Sequence, residues 1–258
     1  MVAVIPIKTP AEIATMRIGG QITAAVLGVM CSAAAEGVST WDLDQICAIE
    51  LAARGAKSAC FGYSGKQCPF PAQICISIND EVVHGIPSKQ KFLKAGDIVS
   101  FDLVASYDGL MTDSTRTVIV GQTSPEAEQL VRQTELALFA GIAKALDGGH
   151  IGDISFAIES HAKKFKLGIV RELVGHGIGR DMHEDPRIPN WGRRGQGPKL
   201  KAGMTLAIEP MLMLGSETLN FDNDGWTVRT ADGKWAAHWE HTVLVTKNAP
   251  EILTVLKK

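Results

Sequence analysis

The chain has 258 residues, of which 45% are hydrophobic and 21% charged, and its formal net charge is −2. That length supports a sizeable core. The charge balance excludes the basic footprint of a nucleic-acid binder and the polybasic patch of a membrane-surface protein. The longest uncharged run, between Arg17 and Glu36, is about as long as the shortest membrane spans. It is rich in Gly, Ala, Ser and Thr, however, and reads as a buried helix. The opening "MVAVIPIKTPAEI" lacks a basic start followed by an apolar stretch, so no signal peptide is expected. Cys31, Cys47, Cys60, Cys68 and Cys75 form an odd set without a C-x-x-C pair. This argues against a disulfide framework or a structural zinc site and for a reducing cytoplasm.

In chain order, "KTPAEIATM" opens a helix with Thr9 as N-cap, Pro10 in the first turn and Glu12 closing a capping box. Ile13, Met16, Thr23, Leu27 and Met30 follow at helical spacing, with Gly37 as the stop. A second helix starts at "STWDLDQ" and runs to Gly55, with Leu43, Ile46 and Cys47 on one face. "QICISI" (73–78) reads as a strand, and "SFDLVASYDGLMTDSTRTVIV" (100–120) as a hairpin turning at Asp108-Gly109. With those two as loop residues, Tyr107 faces Leu110 and Val104 faces Asp113. Asp102 and Asp113 then share a face as diagonal neighbours, roughly 7–8 Å apart, whereas a one-residue slip would separate them.

After residue 121 the order repeats. A helix from Ser124-Pro125 carries Leu130, Val131, Leu138, Ile142 and Ala145, and "DISFAIESHAKKFKLG" forms a shorter one. Strands follow around "GIVRELVG", "MTLAIEPMLML" and "WAAHWEHTVLVT". The spacing predicts an α+β fold of two pseudo-symmetric halves, roughly 10–120 and 124–248, without a residue-level repeat. Their strands would join in one curved sheet, with helices on one side and a cleft on the other. The polar loop "HEDPRIPNWGRRGQGPKLKAG" is long enough to cover such a cleft.

The second half supplies Glu209, expected on one strand face with Thr205 and Ala207, and Glu240, expected on a face with His238 and Thr242. Singly, each acid reads as a strand-end residue in water. Together, each half presents two carboxylates from sheet positions. At an effective dielectric near 20, two carboxylates about 7 Å apart repel by roughly 2 kcal/mol, so four in one cleft cost on the order of 10 kcal/mol, comparable to a domain's whole stability. Apart from Arg116, no Lys or Arg adjoins them in sequence, which points to bound divalent metal as the counter-charge. "VGHGIGRDMHEDP" adds His176 between Gly175 and Gly177, with His183 seven residues on, and His84 sits in "NDEVVHGIP". One nitrogen among four carboxylates suits Mn, Fe(II) or Co and argues against a Cys/His zinc site. Two ions sharing carboxylates would acidify a water between them and aim it at a carbonyl, which is hydrolytic chemistry. A phosphate substrate is disfavoured by the absence of G-x-G-x-x-G and Walker patterns.

Six ordered segments, "NDEVVHGIP", "DIVSFDL", "LMTDSTRT", "GHGIGRDMHEDP", "LAIEPML" and "WEHTVLVT", resemble the type I methionine aminopeptidases of bacterial form, over essentially the whole chain. The resemblance implies the pita-bread fold, one catalytic domain over 1–258, and removal of the N-terminal methionine from nascent polypeptides whose second residue is small. It implies two divalent ions (Co, Mn, Fe(II) or Zn), with Asp102 chelating one, Asp113 and Glu240 bridging both, and His176 and Glu209 holding the other. Glu209 is further implied as the proton acceptor for the attacking water, His183 as an oxyanion donor and His84 as a donor to the scissile amide. The methionine pocket carries over onto Cys60, Tyr63, Cys75 and Trp226, a slot suited to a flexible thioether. Two positions depart from the family pattern. "SGKQCPFPAQ" is longer than usual and has Lys66 where an aromatic is common, and Met182 replaces a common aromatic before His183. Both bear on pocket shape and leave the chemistry untouched. The short stretch between His183 and Glu209 lacks the helical insertion of the second type.

The resemblance implies a cytoplasmic enzyme; a monomer is the expectation, with ribosome docking and the metal's identity left open. Two alternatives stand beside it. One is a Xaa-Pro peptidase of the same fold, separable by comparing Met-Ala-Ser with Xaa-Pro peptides. The other is a silent binding protein of that fold, which would be expected to lose ligands that this chain keeps.

Overall fold

The computed structural model describes residues 5–64 and 68–256; Lys66 lies outside them. The first half holds α1 (Pro10–Ala33) and α2 (Thr40–Ala53), then strands β1 (Lys57–Ser58), β2 (Cys75–Ile78), β3 (Glu81–Val83), β4 (Ile98–Tyr107) and β5 (Leu110–Ile119). The second holds α3 (Pro125–Ile142) and α4 (Ile151–Lys164), then β6 (Gly168–Ile169), β7 (Gly175–Gly177), β8 (Glu184–Ile188), β9 (Thr205–Ile208) and β10 (Met211–Met213). It continues with β11 (Leu219–Phe221), β12 (Val228–Thr230), β13 (Ala236–His238), β14 (Glu240–Leu244) and β15 (Glu251–Ile252). Each half runs helix, helix, strands.

Local chemistry starts α1, α2 and α3 where expected. Thr9 Oγ1 accepts from the Glu12 N–H while Glu12 accepts from the Thr9 N–H, a reciprocal cap of the kind that stabilises by about 1 kcal/mol. The helix ends at Ala33, ahead of Gly37, which lies in the following turn at φ +83°. α4 begins at Ile151, two residues before the expected start, because the Asp153 carboxylate turns back to accept from the His150 N–H.

The nine-stranded sheet runs β1-β4-β5-β14-β9-β7-β8, with β2 also on β4 and β15 on β14. Its pairings are antiparallel, and the two halves meet at β5 and β14. The hairpin has the predicted register, Tyr107 opposite Leu110 and Val104 opposite Asp113. Asp108 and Gly109 both take left-handed φ, +48° and +74°, as a two-residue hairpin turn of this type requires.

Alternation sorts the two faces. Val99, Phe101, Leu103 and Ala105 pack with Val26, Leu27 and Met30 of α1 and Leu43 of α2. Leu206, Ile208 and Val243 pack with Leu130 of α3 and Ile154 and Ile158 of α4. α1 is long and apolar enough to cross a membrane by composition, but here it contributes Met16, Val26, Leu27 and Met30 to the interior. The opposite face carries Asp102, Val104, Ala207 and Thr242, with Asp102 opposite Thr115 and Thr115 opposite Glu240.

Three strand expectations are corrected. "GIVRELVG" yields only β6 and the first residue of β7. "MTLAIEPMLML" splits at Glu209-Pro210, where proline has no N–H to donate, and "WAAHWEHTVLVT" splits at Trp239. At both breaks the chain passes between sheets, since β10 and β13 pair with each other while β9 and β14 pair in the large sheet. Glu209 therefore lies just beyond a strand, and His238 and Glu240 belong to different sheets.

Candidate metal centre

A cleft of about 830 Å³, including its open mouth, lies on the sheet face away from the helices, and every sequence-predicted site residue lines it. Its floor is acidic. Asp113, His176 and Glu240 each offer a donor atom, and these atoms lie within 4.8 Å of one another. Glu209 Oε1 is 3.5 Å and Asp113 Oδ2 3.9 Å from His176 Nε2. Asp102 lines the same floor, close enough for its charge to raise the Asp113 carboxyl.

Neighbouring residues set the aim of these groups. His176 sits on β7 opposite Ala207, and both flanking glycines are under a steric constraint. A Cβ on Gly175 would come within 2.4 Å of the Ala207 carbonyl oxygen, and one on Gly177 within 2.2 Å of that of Asp185. The His176 Nδ1–H donates to the Gly177 carbonyl oxygen at 2.8 Å, leaving Nε2 as a lone-pair donor facing the acids. Thr115 Oγ1 donates to Glu240 Oε2 at 2.9 Å.

Asp113 Oδ1 and Glu240 Oε1 have no hydrogen-bond partner among the described residues. Burial first, then mutual repulsion, pushes the Asp113, Glu209 and Glu240 carboxyls well above their ordinary range, and burial pushes Asp102 up to about 6. Burial, with a smaller push from His183, holds His176 down to about 4, so its imidazole is neutral at pH 7. Buried carboxylate oxygens without donors, beside a neutral imidazole with a free lone pair, fit a divalent cation.

The rim is aromatic and imidazole-rich. Tyr63 Oη meets His183 Nδ1 at 2.7 Å; with the hydroxyl donating, His183 keeps an Nε2–H. Lys8 and Glu184 form a buried ion pair at 2.6 Å, and Glu184 Oε1 accepts from the Arg180 N–H at 2.7 Å, which fastens the loop carrying His183. His84, at φ +58°, stacks edge-on against Trp226 with ring centroids 6.0 Å apart. Burial and His183 lower it to about 4. Cys60 and Cys75 are buried beside Phe70 and Val104 in one apolar cluster. Met182, also buried, completes that wall.

His238 escaped sequence reasoning as a site residue. It lines the same cleft, and only its spacing two residues before Glu240 hinted at it. Val83, Leu173 and Met211 were missed too, since nothing in sequence separates them from core.

The chain matches the model of metallopeptidase family M24 over residues 14–247. It is 48% identical to a methionine aminopeptidase of Aquifex aeolicus, over 95% of this chain and 96% of that relative. The solved methionine aminopeptidase of Thermotoga maritima superposes with a TM-score of 0.95 at 42% identity, covering 98% of this chain and all of that one. A prolidase of Pyrococcus furiosus shares the fold, at TM-score 0.77 and 22% identity, over 98% of this chain and 66% of its own. With a family match over most of its length and a floor of metal-donor side chains, the chain belongs to metallopeptidase family M24.

Proposed function

We propose that the protein is a metal-dependent aminopeptidase that removes N-terminal methionine from polypeptides whose second residue is small, acting on nascent chains in the cytoplasm as a monomer. The observation that carries this reading is the convergence of Asp102, Asp113, His176, Glu209 and Glu240 at the base of an apolar cleft, with two buried carboxylate oxygens unpartnered among the described residues. The relatives named methionine aminopeptidase, matched nearly end to end, support the same substrate. Those five side chains would hold two divalent ions, with Asp113 and Glu240 shared between them. When bound, the ions supply the Lewis acidity that makes a water nucleophilic near neutral pH.

The chain's own groups do the rest. The slot formed by Cys60, Tyr63, Cys75 and Trp226 takes the methionine side chain and keeps water from it. His84 donates to the scissile amide. The His183 Nε2–H, held by Tyr63, donates to the carbonyl oxygen as charge builds there. Glu209 accepts the proton of the attacking water and passes it to the leaving amine.

The test is turnover of Met-Ala-Ser and of Xaa-Pro peptides after chelation and stepwise return of Mn, Fe(II), Co or Zn. Recovery on Met-Ala-Ser alone is the expected result. Recovery on Xaa-Pro peptides, or no metal dependence, would refute the reading.

A further inference from the structure

The floor holds one imidazole that the reaction above does not use. His238 is 2% exposed, and neither of its ring nitrogens has a hydrogen-bond partner among the described residues. Buried polar groups are ordinarily paired, so both nitrogens of one ring standing idle inside a cleft points to an unmet partner.

Its backbone is fixed. The His238 N–H donates to Thr117 Oγ1 at 3.1 Å, the Thr117 hydroxyl donates to the His238 carbonyl oxygen at 2.7 Å, and His238 pairs with Met211. Glu209 is also held, its carbonyl oxygen accepting from Asn190 Nδ2 at 2.9 Å. Between these two anchored residues, His238 Nε2 lies 3.7 Å from Glu209 Oε2, while Glu209 Oε1 lies 3.5 Å from His176 Nε2. The carboxyl thus sits between two imidazoles, one per oxygen. His176 is turned toward the acid cluster by its bond to Gly177, whereas the His238 ring makes no hydrogen bond among the described residues and has Glu209 as its ion-pair neighbour there. A separation of 3.7 Å exceeds a formed hydrogen bond, but a small rotation of either side chain closes it, and catalytic hydrogen bonds often run long before substrate is bound.

We propose that His238 is a positioning residue for Glu209. Its Nε2–H donates to Oε2 and fixes the rotation of the carboxylate about its last bond. One oxygen is then kept toward His176, and the other stays in place between taking up a proton and releasing it. The proposal rests on Glu209 acting as the proton acceptor.

The experiment uses manganese-loaded full-length protein carrying His238→Leu, His238→Gln or His238→Asn, with steady-state kinetics on Met-Ala-Ser and manganese titration by calorimetry. Gln can place its amide nitrogen where Nε2 stands; Asn reaches only the Nδ1 position. Loss of the donor is expected to lower kcat by roughly 10-fold or more in the Leu and Asn variants, as for partners that orient functional groups around metals. KM should change little, manganese stoichiometry should hold, and Gln should restore most of the rate. Full kcat in the Leu variant, equal rates for Gln and Asn, or a loss explained by KM or missing manganese would overturn the proposal. If the Leu variant does not fold, the contrast between the two amides decides. Wild-type turnover of Met-Ala-Ser, measured alongside, separates failure of the underlying reading from failure of this assignment.

Discussion

The floor and the rim of the cleft are built on different physical terms. Asp102, Asp113 and Glu240 stand on paired strands whose register leaves no freedom, buried where like charges repel. Tyr63, His84, His183 and Trp226 stand on loops or strand ends and are placed by ring contacts and side-chain bonds, such as the Tyr63–His183 hydrogen bond and the buried Lys8–Glu184 pair. A rigid scaffold suits ligands that must share a cation within tenths of an ångström. Adaptable loops suit groups that close on a substrate. Floor changes should therefore abolish metal binding, and rim changes should alter rate with the metal intact.

The sharpest way to break that contrast is Asp113→Ala or Glu240→Ala. Both should lose manganese and turnover together, read by metal analysis and kinetics; a variant with two ions and full turnover would sink the shared-carboxylate role. Next, His183→Ala should bind manganese normally while kcat falls by ~10²-fold or more. Lys8→Met strands a buried carboxylate at Glu184 and should destabilise by about 3–5 kcal/mol in urea unfolding. Tyr63→Phe removes only the hydroxyl that orients His183. A several-fold drop in kcat, equivalent to about 1 kcal/mol, is expected with unchanged stability.

pH gives the comparison a sign. In metal-free protein the Asp113, Glu209 and Glu240 carboxyls are raised, so folded chain keeps protons that unfolded chain has already released. Stability then falls as pH rises. The lowered histidines, His84 and His176 at about 4 and His238 at about 3, act oppositely, but only below the ordinary imidazole value near 6.5. Chelated protein should accordingly lose Tm between pH ~6.5 and ~8, and manganese should flatten that slope. A chelated protein that gains Tm across this window would contradict the buried-acid account.

The same contrast governs what could be read from sequence. The hairpin was legible because Asp-Gly admits the left-handed turn and fixes every residue's face. The second half was less so. Pro210 and Trp239 break what alternation presents as continuous strands, so Glu209 lies just past the strand that carries Thr205 and Ala207. His238 looked like a strand residue beside Glu240, and only the sheet switch at Trp239 shows its ring idle in the cleft. Cys60 and Cys75 have the composition of core, and only the motif likeness singled them out. Long-range pairing, which no local pattern encodes, brings Glu209 to His176.

The most direct test is calorimetric titration of chelated protein with manganese, wild type beside Asp113→Ala. The wild type should take up two ions per chain with a rise in Tm, and the variant should take up neither tightly. No uptake by the wild type, or matching isotherms for both proteins, would contradict a floor built to hold cations.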